Sequence, residues 1–464
     1  MRLLAHVVDC AFGVVAPNVE LNLRRQQDTE WKHVSRGRTD ANGELAEWAY
    51  RQLQGGTYQL EINLDGYYAT LGIIPMYPRV IIEFRTQDPT VDLNLTMLIT
   101  ANSFQVYRVT DEGSEPLHGP AHLPLDDRRI ALEIANVDVA GILDEMSIRP
   151  PTPILSIRAC VRGRDVTVRL KLESANRWGS IKDRTALGLV TSVKSQLEDQ
   201  DAVLIESTSG NLGVALAAIA RALDRRFIAV VDPNLSQTLA ARMIRDGAHL
   251  DFVTDSDRHG SYLSARLARV ARLAESVPGA VWTDQYHNPA NPLAHYRSTA
   301  PELLRQAPDT DAVFVAVSTG GTLAGISRYV REHTPGIRVI AVDVPGSRVF
   351  GEPTGQRLLT GIGAGRCSSF LCPGTWDDVV LVEDTVAIAV CHQVREAVGV
   401  SLGGSAGAVI AACLQYAQTH PQITAPTCIC PDGGAPYLHT IYADGWLRAR
   451  SVDLARWRMP VIFR

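Results

Sequence analysis

Residues 201–216 read DAVLIESTSGNLGVAL, and this stretch decides the fold of the larger part of the chain. The apolar run Ala202 to Ile205 predicts a buried strand, and Leu212 to Leu223 predicts a helix. Only small or polar residues, Glu206 to Asn211, lie between the apolar segments. Backbone N–H groups and hydroxyls at a helix N-terminus suit a carboxylate, although a plain helix cap with small residues for close packing has the same pattern.

The same strand–turn–helix rhythm recurs on both sides of this stretch. Strands are predicted at Val166–Leu172, Phe227–Val231, Ala312–Val317, Val339–Val344 and Val379–Val382, and helices at Leu263–Ala274 and Leu323–Arg331. This alternation predicts an α/β fold, in which helices cover a parallel sheet. Ligands of such sheets bind beyond the carboxyl ends of the strands, so we expect the functional residues in the turns there.

Two further turns carry residues suited to chemistry. Lys182 stands at the start of a predicted helix, where a partly desolvated amine has a lowered pKa and can form an imine. Taken alone, it would be interpreted as a solvated surface lysine. Ser318, Thr319, Gly320, Gly321 and Thr322 follow another strand, and their glycines let backbone N–H groups approach a phosphate. Neither the nucleoside-triphosphate P-loop nor the dinucleotide fingerprint has this spacing, so a small phosphate ester is the predicted ligand.

These three turns belong to a longer ordered set of motifs. With Gly361–Gly365, Gly403–Ala408 and Pro431–Gly434 they resemble the cysteine-synthase family of fold-type II pyridoxal-phosphate enzymes, over about residues 145 to 448. The resemblance implies two α/β subdomains with parallel-rich sheets and pyridoxal 5′-phosphate as the cofactor. It implies that Lys182 carries the cofactor and later moves the substrate α-proton. The other implied cofactor contacts are Ser318, Thr319, Gly320, Gly321 and Thr322 at the phosphate, Asn211 at the ring oxygen and Ser405 as the neutral partner of the ring nitrogen.

The resemblance also implies a substrate site and a reaction. The substrate site would comprise Thr208, Ser209, Gly210, Asn211 and Gly363. Residues 206–216, 231–234, 260–263 and 285–291 resemble one branch of the family, the N-(2-amino-2-carboxyethyl)-L-glutamate synthases. That branch implies β-replacement on an O-activated L-serine through an aminoacrylate. O-phosphoserine would be the donor and an amine such as L-glutamate the nucleophile, in the biosynthesis of 2,3-diaminopropionate-type amino acids.

Two residues near these segments are further substrate-binding candidates. Arg266 would bind the phosphate leaving group or an acidic nucleophile by charge-assisted hydrogen bonds, unless it is an ordinary surface arginine. Tyr286 is a candidate in the same pocket. The nucleophile stays open, because Gly434-Ala435-Pro436-Tyr437-Leu438 departs from the family's Gly-Glu-Arg-Tyr-Leu. A cysteine or S-sulfocysteine synthase that uses sulfide or thiosulfate is the first alternative, and a non-catalytic ligand-binding or carrier protein is the second.

The first ~108 residues follow a different pattern, typical of an all-β sandwich. A helix is predicted there only at Glu44–Gln54. Segments 4–9, 37–43, 56–58 and 107–108 resemble the transthyretin-like 5-hydroxyisourate hydrolases. His6 and Arg38 match that family, but Asn94 stands where a second histidine is expected. An asparagine cannot be a general acid or base near neutral pH, so we expect a structural, oligomerising or ligand-recruiting role and no hydrolysis. A bifunctional fusion is the alternative.

Length and composition fit this division of the chain. The 464 residues are expected to form a sandwich over 1–110, a linker and helix over 111–144, with the helix at Arg129–Met146, and a catalytic domain over 145–464. A net charge of −5 and the lack of a long apolar run predict neither nucleic acid nor membrane as a partner, and a cytoplasmic location. The partners are then small amino acid substrates. The eight cysteines are interpreted as structural thiols, and no metal site is expected. A homodimer is expected, which the N-terminal domain would extend to a tetramer.

Overall fold

The chain divides into two compact units, built mainly from Met1–Ala135 and from Asn136–Arg464. The computed structural model describes residues 3–9, 14–28, 30–46, 48, 53–69, 78–86, 92–99, 104–110, 113–116, 138–256, 261–351, 353, 355–459 and 462–463.

Within its described residues, the first unit is a sandwich of two β-sheets with one short helix, α1 (Leu64–Ala69). Its strands are β1 (Leu3–Asp9), β2 (Val14–Val15), β3 (Glu20–Gln27), β4 (Glu30–Arg38), β5 (Glu44–Leu45), β6 (Gly56–Asn63), β7 (Arg79–Thr86), β8 (Leu93–Ile99), β9 (Phe104–Thr110) and β10 (Gly113–Pro116). One sheet has the order β10-β9-β8-β1-β2, with β5 paired to β1, and the other has the order β4-β3-β6-β7. Leu21, Leu60 and Ile82 are fully buried in the shared core, because side chains alternate between the faces of a strand. The predicted all-β sandwich is confirmed.

The helix predicted over residues 44–54 is wrong in the described part of that stretch. Glu44–Leu45 forms β5, which pairs with Ala5 and His6 of β1. The Val7 N–H also donates to the Gly43 carbonyl at 2.8 Å. Pairing with a neighbouring strand therefore outweighs the local helix propensity. Residues 46, 48, 53 and 54 belong to no helix, and residues 47 and 49–52 lie outside the described residues.

The part of the chain from Asn136 onward contains two further sheets. Its strands are β11 (Ile154–Val161), β12 (Arg164–Leu172), β13 (Val203–Ser207), β14 (Arg226–Val231), β15 (Ala248–Phe252), β16 (Ala280–Trp282), β17 (Ala312–Ala316), β18 (Arg338–Asp343), β19 (Asp378–Leu381), β20 (Thr427–Cys430) and β21 (Ile462–Phe463). The sheet orders are β15-β14-β13-β16 and β19-β18-β17-β20-β12-β11-β21. All pairs among β12, β20, β17, β18 and β19 are parallel, whereas β11 pairs antiparallel with β12 and β21.

Helices pack against both faces of the larger sheet. The α-helices in this part of the chain are α2 (Val139–Ser147), α3 (Lys182–Ser192), α4 (Asn211–Ala222), α5 (Gln237–Arg245), α6 (Leu263–Ser276), α7 (Ala290–Ala294), α8 (Ala300–Gln306), α9 (Gly321–His333), α10 (Asp384–Val398), α11 (Gly404–Thr419), α12 (Asp444–Ala449) and α13 (Leu454–Trp457). Ala312 and Phe314 of β17 enter one core cluster, and Val313 and Val315 enter another. Such two-sided burial is expected of a parallel strand covered by helices, and the predicted α/β fold is confirmed.

The registers of the parallel strands place several turns at one edge of the larger sheet. Leu172 at the end of β12 pairs with Cys430 at the end of β20, and β20 also pairs in parallel with β17. The turns after β12, β17 and β20 therefore meet at this edge. They carry Lys182, the Ser318–Thr322 loop and Pro431–Gly434, which is where the strand pattern predicted functional residues.

Three smaller expectations can be compared with the structure. The helix predicted at Arg129–Met146 corresponds to α2, which begins after Asp138 because its carboxylate accepts the Gly141 N–H at 2.8 Å. Residues 129–137 lie outside the described residues. Cys391, Cys413, Cys428 and Cys430 are buried, whereas Cys367 and Cys372 are exposed, so the interpretation as structural thiols fails for those two. Among the described residues, no helix is long and apolar enough to cross a bilayer.

Candidate active site

A cavity lies at the edge of the larger sheet where these turns meet. Its empty space, with the open mouth included, is about 410 Å³. It is lined by Ile181, Lys182, Val315, Ala316, Ser318, Thr319, Gly320, Thr322, Gly361, Ile429 and Pro431. The cavity thus brings together the predicted lysine and four of the five predicted phosphate-loop residues, and Gly321 is not part of its lining.

Lys182 is the first residue of α3, and its backbone is fixed from two sides. The preceding Ile181 N–H donates to the Pro431 carbonyl at 2.8 Å, and the Lys182 N–H donates to Ser180 Oγ at 3.1 Å. Burial lowers the pKa of the Lys182 amine to about 8. In the described part of the chain no acidic side chain forms an ion pair with this amine. The amine is therefore uncharged in a far larger fraction of molecules near neutral pH than an exposed lysine, as imine chemistry requires.

The Ser318–Thr322 loop presents donors to the cavity. Gly320 has φ +90°, a left-handed conformation, and a Cβ there would stand 2.2 Å from Ser368 Oγ, so only glycine fits. The backbone N–H groups of Ser318, Thr319 and Gly320 donate to no acceptor within the described residues. Three hydroxyls line the same cavity, and the loop leads into the N-terminus of α9. Unpaired N–H groups at a helix start are a fitting site for a phosphate.

A buried histidine that the sequence did not point to supports this loop. His295 Nε2 lies 3.2 Å from Thr322 Oγ1 and 3.0 Å from Thr185 Oγ1, and its Nδ1 lies 3.0 Å from Thr299 Oγ1. Burial, with the charges of Lys182 and Arg184, keeps the pKa of His295 well below its ordinary value. A neutral His295 therefore links the phosphate loop to α3, the helix that begins with Lys182.

Asn211, the predicted partner of the ring oxygen, belongs to a hydrogen-bonded group with two residues that the sequence analysis assigned no role. Its Nδ2 donates to Asp432 Oδ2 at 2.7 Å, and the Tyr437 hydroxyl donates to the same oxygen at 2.6 Å. Asp432 Oδ1 is buried and has no partner among the described residues. Burial raises the pKa of the Asp432 carboxyl to about 6, although these two hydrogen bonds lower it. The carboxyl is next in sequence to Pro431, which lines the cavity.

The Ser405 hydroxyl is available to form a hydrogen bond with a ligand atom. It is the second residue of α11 and only 3% exposed. Within the described residues its hydroxyl has no hydrogen-bond partner in the protein. A hydroxyl without a protein partner is available to a ligand atom such as a ring nitrogen. Ser405 lies outside the cavity lining and is connected to Asp432 through the Gly403 N–H, which donates to the Asp432 carbonyl at 3.2 Å.

The predicted carboxylate loop is the turn between β13 and α4. Thr208 is buried, and its hydroxyl oxygen accepts the Gly213 N–H at 3.0 Å. The N–H groups of Gly210 and Asn211 have no acceptor in the described part of the chain. Arg266 Nη1 donates to Ser209 Oγ at 3.2 Å, so this guanidinium is attached to the loop. The loop residues and Arg266 do not line the cavity itself.

Gly363 and Tyr286 belong to a neighbouring loop system. The Gly363 N–H donates to the Val317 carbonyl at 2.7 Å, and Ser318 Oγ donates to the Gly363 carbonyl at 3.1 Å. Ser369 Oγ donates to the Tyr286 carbonyl. Gly363 is therefore hydrogen-bonded to the phosphate loop, whereas Tyr286 is connected to the segment that follows Gly363. Gly363 is two residues from Gly361, which lines the cavity, but neither Gly363 nor Tyr286 lines it.

The residues that define the transthyretin-like motif lie in the first unit. His6 in β1 and Asn94 in β8 are on neighbouring parallel strands, with Leu4 paired to Asn94. Burial lowers the pKa of His6. Arg38 on β4 donates to Glu20 Oε2 at 3.0 Å and to Asn18 Oδ1 at 3.1 Å. The strand β9 includes residues 107 and 108, the remaining part of the motif.

A desolvated lysine and an anion cradle that share one cavity define a site for a phosphorylated carbonyl cofactor. A family model described as pyridoxal-phosphate dependent enzyme matches residues 147–426, and a model of the HIUase/transthyretin family matches residues 3–109. The N-(2-amino-2-carboxyethyl)-L-glutamate synthase of Ralstonia nicotianae is 39% identical over 298 residues, which are 64% of this chain and 88% of that protein.

Solved structures agree with the family match. The O-acetylserine dependent cystathionine β-synthase of Helicobacter pylori is similar, with a TM-score of 0.59, 28% identity and coverage of 65% of this chain and 98% of that chain. O-ureido-L-serine synthase is similar with a TM-score of 0.58, 28% identity and coverage of 66% and 98%. The chain belongs to the pyridoxal-phosphate-dependent enzyme family and carries a transthyretin-family domain before the enzyme part. The predicted cofactor and enzyme class are confirmed.

Proposed function

We propose that this enzyme catalyses β-replacement on an O-activated L-serine, with O-phosphoserine as the donor and an amine such as L-glutamate as the nucleophile. The observation that carries the proposal is the shared cavity of Lys182 and the Ser318–Thr322 loop. Bound pyridoxal phosphate would serve as the sink for the electrons released at the substrate α-carbon. Lys182 would hold the cofactor and then carry the α-proton. The loop would bind the phosphate through its free N–H groups and hydroxyls.

The remaining residues are proposed to orient the ring and the donor substrate. Asn211 would contact the ring oxygen, and Ser405 would offer a neutral hydroxyl to the ring nitrogen. Gly210 and Asn211 have N–H groups available for the donor's carboxylate, and Thr208 and Ser209 belong to the same turn. Gly363, which is hydrogen-bonded to the phosphate loop, would complete the carboxylate site. Arg266, whose guanidinium donates a hydrogen bond to Ser209, would bind the departing phosphate. Tyr286 completes the proposed set.

The choice of glutamate follows the relative from Ralstonia nicotianae, whose name gives an N-substituted L-glutamate as its product. The two solved structures named above carry names with O-acetylserine and O-ureido-L-serine, which are O-substituted serines. The names of the two solved structures support the donor class. Only the name of the Ralstonia nicotianae relative supports glutamate as the nucleophile. Sulfide or thiosulfate would use the same first half of the reaction.

The experiment is a product assay by mass spectrometry. Cofactor-loaded protein would receive O-phosphoserine or O-acetylserine, with glutamate, other amines, sulfide and thiosulfate tested one at a time. A glutamate adduct formed with release of inorganic phosphate is expected. A product formed with sulfide and with no other nucleophile would contradict the proposed nucleophile. It would indicate a role in sulfur assimilation. No product and no spectral response to any O-activated serine would contradict the reaction class.

We also propose the domain roles and the setting. Residues 1–110 form the transthyretin-like domain, 111–144 the linker and helix, and 145–464 the catalytic domain. The first domain would not hydrolyse 5-hydroxyisourate, because Asn94 replaces the expected histidine; hydrolysis that appears only in an Asn94→His variant would support this. The enzyme would act in the cytoplasm as a homodimer, extended to a tetramer through the first domain.

A further inference from the structure

The segment Arg357–Arg366, here called the arginine loop, is attached to the catalytic cavity. Its Gly361 lines the cavity, and its Gly363 exchanges hydrogen bonds with Val317 and Ser318. A Cβ on Gly365 would stand 2.8 Å from Ser261 Oγ, just before α6, which carries Arg266. The loop is therefore in contact both with the phosphate loop and with the start of α6. None of the functions assigned so far uses its two arginines.

Arg357 is a partly buried guanidinium with few partners. Its Nη1 donates to the Ile362 carbonyl at 3.0 Å, and a Cβ on Gly363 would stand 2.3 Å from the same nitrogen. Within the described residues no carboxylate lies within ion-pair distance of Arg357, and no other acceptor receives its N–H groups. A guanidinium offers five N–H donors, and one is used here. Burial lowers the pKa of Arg357, and the more distant charges of Asp343, Asp384 and Tyr286 oppose this effect.

Arg366, the last residue of the arginine loop, lies beside the Tyr286 ring. Its guanidinium carbon lies 5.8 Å from the centre of the Tyr286 ring, and its Nη2 lies 3.2 Å from His287 Nε2. In the described part of the chain Arg366 also lacks a carboxylate partner. The charge of Tyr286 also acts on Arg357. Two guanidinium groups of one loop, both without an ion-pair partner among the described residues, are expected to bind an anion from solution.

We propose that Arg357 and Arg366 form a subsite for the carboxylates of the incoming nucleophile, and that this subsite selects a dicarboxylic amino acid over neutral amines. This inference rests on the proposed β-replacement. The donor's own anions already have the Thr208–Asn211 loop and Arg266. A nucleophile with two carboxylates requires further cations, and the arginine loop supplies them next to the same cavity. Tyr286 would form the wall between the two guanidinium groups.

The test uses the cofactor-loaded full chain and Arg357→Gln, Arg366→Gln and Arg357→Lys variants. With saturating O-phosphoserine, the KM for glutamate should rise about tenfold or more in each Gln variant, with partial recovery in Arg357→Lys. The visible absorbance change caused by O-phosphoserine alone should keep its rate within about twofold. Arg348→Gln is the matched control, because this exposed arginine lies near the loop and should change neither quantity. An unchanged KM, or loss of the response to O-phosphoserine, would overturn the subsite.

A second measurement does not depend on turnover. Glutarate has two carboxylates and no amine, and its binding to the same proteins can be followed by calorimetry. It should bind the unaltered enzyme and Arg348→Gln equally, and Arg357→Gln about tenfold or more weakly. Equal binding by all three, or no binding to the unaltered enzyme, would overturn the subsite even if the glutamate adduct forms. Arg357-dependent glutarate binding without a glutamate adduct would leave the subsite standing and refute the proposed nucleophile.

Discussion

At the scale of single residues, Asp432 shows how burial and hydrogen bonds prepare the site. Its carboxylate accepts hydrogen bonds from Asn211 and Tyr437, and its pKa is raised to about 6. Protonation as the pH falls through about 6 weakens both acceptor interactions, so Asn211 changes its environment. Ionised Asp432 above that pH holds Asn211 in the orientation described here.

Cofactor-loaded protein without substrate should therefore show a spectral step near pH 6. The step should disappear in Asp432→Asn, because the amide does not titrate, and should remain in Asp444→Asn, which alters an exposed carboxyl. A visible absorption titration between pH 5 and 8 provides the measurement. If the step persists in Asp432→Asn, another group titrates and the role given to Asp432 is wrong.

Lys182 offers a second test at this scale, in the cofactor-free protein. Because burial lowers its pKa to about 8, acylation of Lys182 should be half-maximal near pH 8. The exposed Lys194 is the comparison lysine in the same samples. Peptide mass spectrometry after brief acylation at a series of pH values measures both. The same pH dependence for the two lysines would contradict the assigned environment.

At the scale of secondary-structure elements, a buried charge network holds α3 against β12 and α8. Lys171 Nζ lies 2.6 Å from Glu302 Oε1, and Arg184 Nη2 lies 2.9 Å from the same oxygen. Arg184 Nε lies 2.7 Å from Glu173 Oε2, and these groups are almost inaccessible to solvent. Although burial alone would raise it, the hydrogen bonds from Arg184 and Lys171 lower the pKa of Glu302 to about 2. Arg184, a member of this network, lies two residues after Lys182. The network therefore fixes α3, the helix that begins with Lys182.

Glu302→Gln should lower the free energy of unfolding by about 3–5 kcal/mol, because it leaves buried cations uncompensated. Urea unfolding at neutral pH measures this. The control Glu396→Gln removes an exposed partner of Arg458 and should cost about 0–1 kcal/mol. The stability from Glu302 is present above its unfolded pKa of about 4.5 and is lost as the pH falls toward 2, so Glu302→Gln should flatten this acid limb. Equal losses in both variants would contradict the network's role.

The sequence predicted those features that depend only on residues close together along the chain. The parallel strands and the loops at Thr208–Asn211 and Ser318–Thr322 follow from apolar runs, glycines and hydroxyls at adjacent positions. The supports of these loops were not predictable in this way, because Asn211 meets Asp432 across 221 positions and Thr185 meets His295 across 110. The segment at Glu44–Leu45 was predicted wrongly because its pairing with β1 is likewise non-local.

At the scale of the whole molecule, the two units have separate hydrophobic cores. One core comprises residues between Leu3 and Val106, and the cores of the enzyme part comprise residues between Ile157 and Met459. All residues proposed to hold the cofactor lie in the enzyme part of the chain. A ligand stabilises the unit that binds it, by about 2.7 kcal/mol at a hundred times its Kd.

Scanning calorimetry of the full chain should therefore show two transitions, and pyridoxal phosphate should raise the midpoint of one by a few degrees. The Lys182→Ala variant serves as the control, and its shift should be smaller because the covalent attachment is lost. A single transition, or equal shifts of two, would mean that the units do not unfold independently.

The central claim is that the reaction passes through the substrate α-carbon, with Lys182 as the proton carrier. The most direct measurement is to run the reaction of O-phosphoserine with its accepted nucleophile in D₂O and to analyse the product by mass spectrometry. The account predicts one deuterium on the α-carbon of the serine-derived half, and a loss of rate of at least about 10²-fold in Lys182→Arg. Product without deuterium would indicate direct displacement at the β-carbon and would contradict the account.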